Sequence, residues 1–375
     1  MIPVSEPRLD GRELEYVTEC LTTGWISSAG RFLGEFEEDW ARYCDRRFGV
    51  AVCNGTVALQ LAVAALDLEP GDEVIMPAFT IISCAMAVVY QGGIPVLVDA
   101  DPETWCMDVS QVAARITPRT RAIMPVHIYG HPVDMDPLLD LAERHGLAII
   151  EDAAEAHGAQ YLSGRGSAHW QRCGSFGDLS CFSFYANKLV TSGEGGMVVA
   201  DDEALARKLR LLRNLGFGPG RRFLHEELGF NFRMTNVQAA IGKAQVERID
   251  DTVDQKRRIG QRYVEGLAGL PGIRLQVERP WARSVWWMNG LVLDKQSGHT
   301  AASLAQALSA LGVETRPFFL GMDRQPALRE RGLFDGENYP VTDELAEMGL
   351  YLPSGVGLTG EQQEAVIGAV RKVLG

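Results

Sequence analysis

Residues 181–199 read CFSFYANKLVTSGEGGMVV. An apolar, aromatic run ends at Asn187-Lys188, small residues follow from Thr191 to Gly196, and a second apolar run begins. Lysine at a strand end ordinarily reaches for water and guards an edge. What stands at the neighbouring strand ends decides whether this one does more.

Working outward, seven short apolar runs occupy the first two hundred residues: 49–53, 73–77, 94–99, 121–126, 147–152, 179–185 and 195–200. Several are β-branched and bounded by Gly, Pro or Asp, which predicts buried strands. Helical segments at 56–66 and 134–146 lie between the earlier runs. This alternation predicts an α/β fold: a mostly parallel seven-stranded sheet covered by helices on both faces. The last two runs are joined by the Lys188 loop, which leaves no room for a helix. From Ala204 the pattern turns helical, and a long helical stretch is expected from Asn236 towards Leu267. A strand at 286–293 and helices at about 300–311 and 360–374 complete a smaller α/β unit. The division is placed at 1–250 and 251–375. The polar, glycine-bearing stretch 162–174 reads as an exposed loop, and GFGPG at 216–220 as a flexible one.

The chain has 375 residues, enough for about two domains. Hydrophobic content of 46% and charged content of 23% are those of an ordinary globular protein. A net charge of −13 disfavours nucleic acid as a partner. The seven cysteines are odd in number and form no C-x-x-C pair, which argues against a disulfide framework or zinc knuckle and fits a reducing cytoplasm. Charges begin at Glu6, so the N-terminus does not read as a signal peptide, and no apolar run is long enough for a bilayer.

In open α/β sheets ligands bind at the carboxyl ends of the strands, and four features collect there. Asn54-Gly55-Thr56 ends one run and opens a helix, as a phosphate site or as a plain cap. Asp152 ends a strongly apolar run with Glu155 three residues on, as a functional carboxylate or as a capping pair. Ser183 alternates with Phe182 and Phe184, so it faces away from both, and Lys188 follows at the strand end. Asn231 and Arg233 precede the long helix, as capping residues or as groups that reach an anion in a neighbouring subunit. Together they suggest one chemistry. A lysine can condense with an aldehyde cofactor, a carboxylate can keep a pyridine nitrogen protonated, and a glycine-hydroxyl helix start with a strand serine can hold a phosphate.

The chain resembles the sugar-nucleotide aminotransferases of the fold-type I pyridoxal phosphate superfamily, the perosamine synthases most closely. The resemblance covers nearly the whole chain and rests on stretches in the same order, among them TGWISSAGRFLGEFE, CNGTVALQLA, IIEDAAEAHGA, GSFGDLSCFSFYANKLVTSGEGGM and GFNFRMTNVQAAIG. It implies pyridoxal 5'-phosphate bound to Lys188, which also carries the proton, and paired through its ring nitrogen with Asp152. Glu155 would lie near the ring hydroxyl, and Ile81 against the ring. Gly55, Thr56 and Ser183 would hold the phosphate, and Asn231 would reach it from the other chain of a homodimer with shared sites. Trp25, Arg31, Arg316 and Asp323 are carried over as substrate-binding positions. The implied reaction aminates a keto sugar nucleotide, a GDP- or dTDP-linked 4-keto-6-deoxyhexose, with glutamate as donor. A longer-chain sugar or a cyclitol ketone is the alternative substrate, and a pyridoxal-type sugar dehydratase the alternative enzyme.

Two departures bear on the substrate. Ile81 stands where relatives carry an aromatic residue, and Leu320 and Asp323 stand where perosamine synthases carry histidines. The 162–174 stretch is also longer than expected. Other classes are disfavoured. No G-x-G-x-x-G follows the first strand, no P-loop motif is present, and the seven histidines form no H-E-x-x-H, so no metal is expected. His127 and His157 lie near strand ends, as core residues or beside the site. The dehydratases carry histidine at the lysine position, so Lys188 favours transamination. Retention of Lys188, Asp152 and Ser183 argues against a non-catalytic binding protein on the same fold.

Overall fold

The computed structural model describes residues 1–218 and 223–375, so GFGPG lies partly outside the described residues. All seven apolar runs are strands of one sheet: β1 (Phe48–Val52), β2 (Glu73–Pro77), β3 (Ile94–Val98), β4 (Thr120–Ile123), β5 (Ala148–Asp152), β8 (Leu179–Ser183) and β9 (Gly196–Ala200). Between β5 and β8 lie β6 (Gln160–Ser163) and β7 (His169–Arg172). The sheet order is β1-β9-β8-β5-β4-β2-β3. Strands β3, β2, β4, β5 and β8 pair in parallel, while β9 is antiparallel to both its neighbours. A parallel neighbour needs a crossover of a dozen or more residues, usually a helix. The helix-free Lys188 loop therefore turns β9 back on β8.

Strand β8 shows how the two faces are covered. Phe182 and Phe184 pack edge-on against Trp40 of the helix Arg31–Tyr43. Ser183 points the other way, against the first residue of the helix Gly55–Ala65. One face of β8 is therefore hydrophobic core and the other meets a helix start.

The smaller unit is a four-stranded antiparallel sheet in the order β10-β12-β14-β13, formed by β10 (Ile273–Leu275), β12 (Asn289–Leu293), β13 (Arg316–Pro317) and β14 (Gly349–Leu352). Its own core includes Ile259, Tyr263, Leu304, Leu308, Val366 and Val370 from three helices. The position 250–251 falls in the first turn of the helix Ile249–Leu267. The chain start belongs spatially to the smaller unit, because Ile2 bridges Val313.

Three sequence expectations are corrected. The stretch 162–174 is not a plain loop. Strands β6 and β7 form a hairpin that pairs with β11 (Ala282–Arg283) in a three-stranded sheet. All four β7 residues are half-buried or exposed, so no apolar alternation marks the strand. The helix from Asn236 is two helices, Asn236–Val246 and Ile249–Leu267, broken where Arg248 leaves helical geometry and pairs with Asp10. Strand β12 begins only at Asn289, because Trp286 holds a left-handed φ of 43°. All seven cysteines are free thiols. Among the described residues, no helix is long and apolar enough to cross a membrane.

Candidate active site

The carboxyl ends of β1, β2, β5 and β8 open onto a cleft of about 600 Å³. Gly55, Thr56, Ile81, Asp152, Glu155, Ser183 and Lys188 all line it. Seven of the eight positions expected to meet the cofactor thus come together in one chain. The eighth, Asn231, is exposed and bridges Asn214 outside the cleft lining. Trp25 and Arg31 line a separate cleft of about 320 Å³, where Arg31 pairs with Glu19 and Glu35. Arg316 is exposed and paired with Glu314. Asp323 does not line the Lys188 cleft, and its Oδ1 is buried without a hydrogen-bond partner among the described residues. A larger cleft of about 1010 Å³, lined by Arg207, Arg210, Arg213 and Arg233, shares no residue with the Lys188 cleft.

The Asn54 side chain caps the helix Gly55–Ala65 by accepting from the Val57 amide at 3.0 Å. First-turn amides have no intrahelical acceptor, so those of Gly55 and Thr56 can serve a ligand. Of the two alternatives read from the sequence the cap is realised, by Asn54, and Gly55 and Thr56 beside it line the cleft. Thr56 Oγ1 lies 2.9 Å from Ser83 Oγ. Gly55 cannot be larger, since a Cβ there would stand 2.5 Å from the Ser183 Cβ. That approach brings the helix start and the Ser183 hydroxyl into one cradle.

Asp152 is buried at the end of β5. Its Oδ1 accepts from the Ala154 amide at 3.1 Å and its Oδ2 from the Cys84 thiol at 3.2 Å. Each oxygen keeps a further acceptor position. Burial raises the Asp152 carboxyl above its ordinary value, while the Ala154 amide, Cys84 and Lys188 pull it back. Glu155 is not a capping partner. It accepts from the Tyr129 amide at 2.8 Å and lies 3.7 Å from Lys188 Nζ. Burial pushes the Glu155 carboxyl up and the Lys188 amine down, and their mutual attraction opposes both shifts. A largely enclosed lysine of lowered proton affinity beside two carboxylates is the environment of a reactive amine.

These groups fit a phosphorylated pyridine aldehyde: first-turn amides and hydroxyls at a helix start, a carboxylate anchored by two donors, and a lysine amine, all lining one cleft. The buried Asn187 Oδ1 has no partner among the described residues, which leaves an acceptor in the cleft wall.

Trp287, Phe319 and Tyr351, which reach the cleft from the smaller unit, were not foreseen from the sequence. The Trp287 ring centroid is 3.4 Å from Lys188 Nζ. No periodicity marks these residues as cleft-facing. Cys84 stands in the first turn of the helix that follows β2, and only the fold shows its contact with Asp152.

The two histidines near strand ends are structural. His127 Nδ1 accepts from the Val133 amide, so Nε2 carries the proton that Glu151 receives at 2.8 Å. Glu151 also accepts from the amides of Gly174 and Phe176 and from Ser180 Oγ. Burial opposes its ionisation, yet these donors hold its carboxyl below the usual range. Cys173 lies close to this pair. The cluster is already saturated by protein donors, which argues against a metal. His157 packs among Trp40, Phe182 and Phe184, with Nδ1 accepting from the Val190 amide.

Comparison with known proteins agrees with this geometry. The family described as "DegT/DnrJ/EryC1/StrS aminotransferase family" matches residues 7–371. A GDP-perosamine synthase of Caulobacter vibrioides is 46% identical, over 100% of this chain and 98% of the relative. A dTDP-3-amino-3,4,6-trideoxy-alpha-D-glucose transaminase of Streptomyces venezuelae is 37% identical, over 99% and 96%. The crystal structure of ntda from Bacillus subtilis with bound cofactor PMP superposes with a TM-score of 0.86 at 30% identity, over 96% of this chain and 81% of that one.

Proposed function

The chain belongs to the DegT/DnrJ/EryC1/StrS aminotransferase family, and on that premise we propose that it aminates a keto sugar nucleotide, using pyridoxal 5'-phosphate and glutamate. The observation that carries the reading is the largely enclosed Lys188 amine, 3.7 Å from Glu155 in a cleft that also holds Asp152 and the Gly55–Ser183 cradle. When bound, pyridoxal phosphate would supply the carbonyl that takes up the amine and the ring that withdraws electrons from the reacting carbon.

The chain's own residues do the rest. The amides of Gly55 and Thr56 and the Ser183 hydroxyl bind the phosphate at a helix N-terminus. The Asp152 carboxylate holds a proton on the ring nitrogen, fixed in place by Ala154 and Cys84. Glu155 orients the ring hydroxyl, and Ile81 gives the ring an apolar contact without an aromatic stack. Lys188 Nζ would hold the cofactor, and its amine is placed to move a proton to and from the substrate carbon as general base and acid. The larger unit, 1–250, would carry the cofactor, and the smaller, 251–375, closes the cleft with Trp287, Phe319 and Tyr351.

Two chains complete each site. Asn231 is exposed and absent from its own cleft, which supports its donation to the phosphate of the other subunit in a homodimer. The same arrangement would bring Trp25 and Arg31 towards the nucleotide sugar, with Arg316 and Asp323 at the sugar end.

The similarity to a GDP-perosamine synthase favours a GDP-linked 4-keto-6-deoxyhexose. The Streptomyces relative, whose product carries its amine at carbon 3, motivates a second reading with a dTDP-linked sugar. The test incubates the purified protein with pyridoxal phosphate, glutamate and a panel of GDP- and dTDP-linked keto sugars. NMR of the product is expected to show a new amino group on the GDP-linked sugar, with one 2-oxoglutarate formed per turnover. Failure to aminate any keto sugar nucleotide, by protein shown to bind the cofactor, overturns the proposal.

A further inference from the structure

Trp287 sits between the two units and is held at both its ring and its backbone. Its indole N–H donates to the Asn187 carbonyl at 2.8 Å, next to Lys188. Its own carbonyl accepts from Lys256 Nζ at 2.9 Å. Lys256 is 3% exposed, has no carboxylate partner among the described residues, and donates also to the Ser354 carbonyl. Burial lowers the Lys256 amine to about 7, and the cost of burying this cation is a sign that the contact is built.

The backbone around Trp287 is equally constrained. Trp286, Tyr129 and Gly130 hold left-handed φ values of 43°, 53° and 96°. The Val285 amide and the Ser284 hydroxyl both donate to the Gly130 carbonyl at 3.1 Å. A Cβ on Gly130 would lie 2.8 Å from the Trp287 nitrogen, and one on Gly260 would lie 2.5 Å from the Trp286 ring. Left-handed tryptophan and tyrosine persist only where the surroundings over-determine them. The result of this crowding is the indole face set 3.4 Å from Lys188 Nζ.

We propose that Trp287 is a positioning residue for Lys188, its clamped indole face being the seat on which the lysine's ammonium rests whenever that amine is not bonded. The inference rests on the reading of Lys188 as the cofactor lysine. A cation over a desolvated indole is stabilised by the ring's negative face, and tryptophan does this better than phenylalanine. The seat lies on the wall formed by the smaller unit, so it couples the placement of that unit to the lysine. Other titratable groups surround the lysine: Asp152, Glu155 and His157 interact with it electrostatically, Glu194, Tyr185 and Tyr351 line the same cleft, and Glu6, Arg8, Arg248 and Lys256 line the small cleft on its other side. None is altered by changing the ring.

The test follows the absorbance change as pyridoxal phosphate condenses with Lys188, against pH, in the parent protein, Trp287→Phe and Trp287→Leu. Only the neutral amine condenses, so the midpoint reports its proton affinity. Trp287→Leu is expected to lower the midpoint by about one unit, a roughly tenfold loss of proton affinity, and Trp287→Phe by a smaller step in the same direction. If the leucine variant does not fold, the phenylalanine variant decides alone. An unchanged or raised midpoint in a folded variant overturns the inference. Absence of condensation at Lys188 in the parent would instead overturn the cofactor reading on which it rests.

Discussion

A Cβ placed on Gly55 would stand 2.5 Å from the Cβ of Ser183. The helix start and strand β8 are therefore as close as two backbones bearing one side chain allow. Gly55→Ala must push the helix away from β8, at a cost of about 1–3 kcal/mol. Its unfolding midpoint is expected to fall, and its affinity for pyridoxamine phosphate to fall at least about tenfold. Ser183→Ala should weaken pyridoxamine phosphate but leave phosphate-free pyridoxamine unchanged. Equal losses for both ligands, measured by equilibrium dialysis, would place Ser183 away from the phosphate.

Burial lowers the proton affinity of Lys188, and the Glu155 charge at 3.7 Å is the strongest force raising it again. Glu155→Gln removes that charge and keeps the acceptor for the Tyr129 amide. The Lys188 amine should then be neutral at lower pH, and cofactor condensation should begin at lower pH than in the parent. A shift to higher pH, read from the same absorbance change, would contradict the pairing.

Two of the three buried histidines, His131 and His157, make acid stability a separate test. Burial depresses His157 from 6.5 to about 3, and His131 from 6.5 to about 4. The unfolded chain takes up both protons near pH 6.5, while the folded chain resists until those lower values. Their contribution to stability is therefore complete above about pH 6.5 and lost as pH falls towards 3–4. Urea unfolding at successive pH values should show the decline, and His157→Gln, which keeps an acceptor for Val190, should reduce its slope by up to one proton. An unaltered slope would mean that His157 is protonated in the folded chain.

Much of this was legible in the sequence, for physical reasons. Strands buried on both faces are continuous apolar runs, so all seven strands of the large sheet stood out. Lys188 and Asp152 were ambiguous one at a time, as an edge lysine and a capping carboxylate, and gained meaning only together with Gly55-Thr56 and Ser183 at neighbouring strand ends. The β6–β7 hairpin did not, because its second strand has no buried face to impose alternation. The break at Arg248 depends on Asp10, more than two hundred residues away. Trp287 was unreadable, since its aim depends on the left-handed turn at Trp286 and on Gly130 in another element.

Shared sites predict complementation. Lys188→Ala and Asn231→Asp chains should each be weakly active alone. After subunit exchange, a mixed dimer holds one site with both residues intact, and up to about half of the parent activity per mixed dimer is expected. No recovery, with exchange demonstrated by mass, would place Asn231 in its own subunit's site or outside the site.

The most direct measurement is chemical trapping of the lysine. The purified protein is mixed with pyridoxal phosphate, reduced with borohydride, digested and mapped by mass spectrometry. The expected result is one cofactor-derived adduct per chain, on the peptide that contains Lys188, and none in Lys188→Ala. An adduct confined to another of the chain's lysines, or none at all in protein that is folded, would contradict the assignment of Lys188 and with it the proposed reaction.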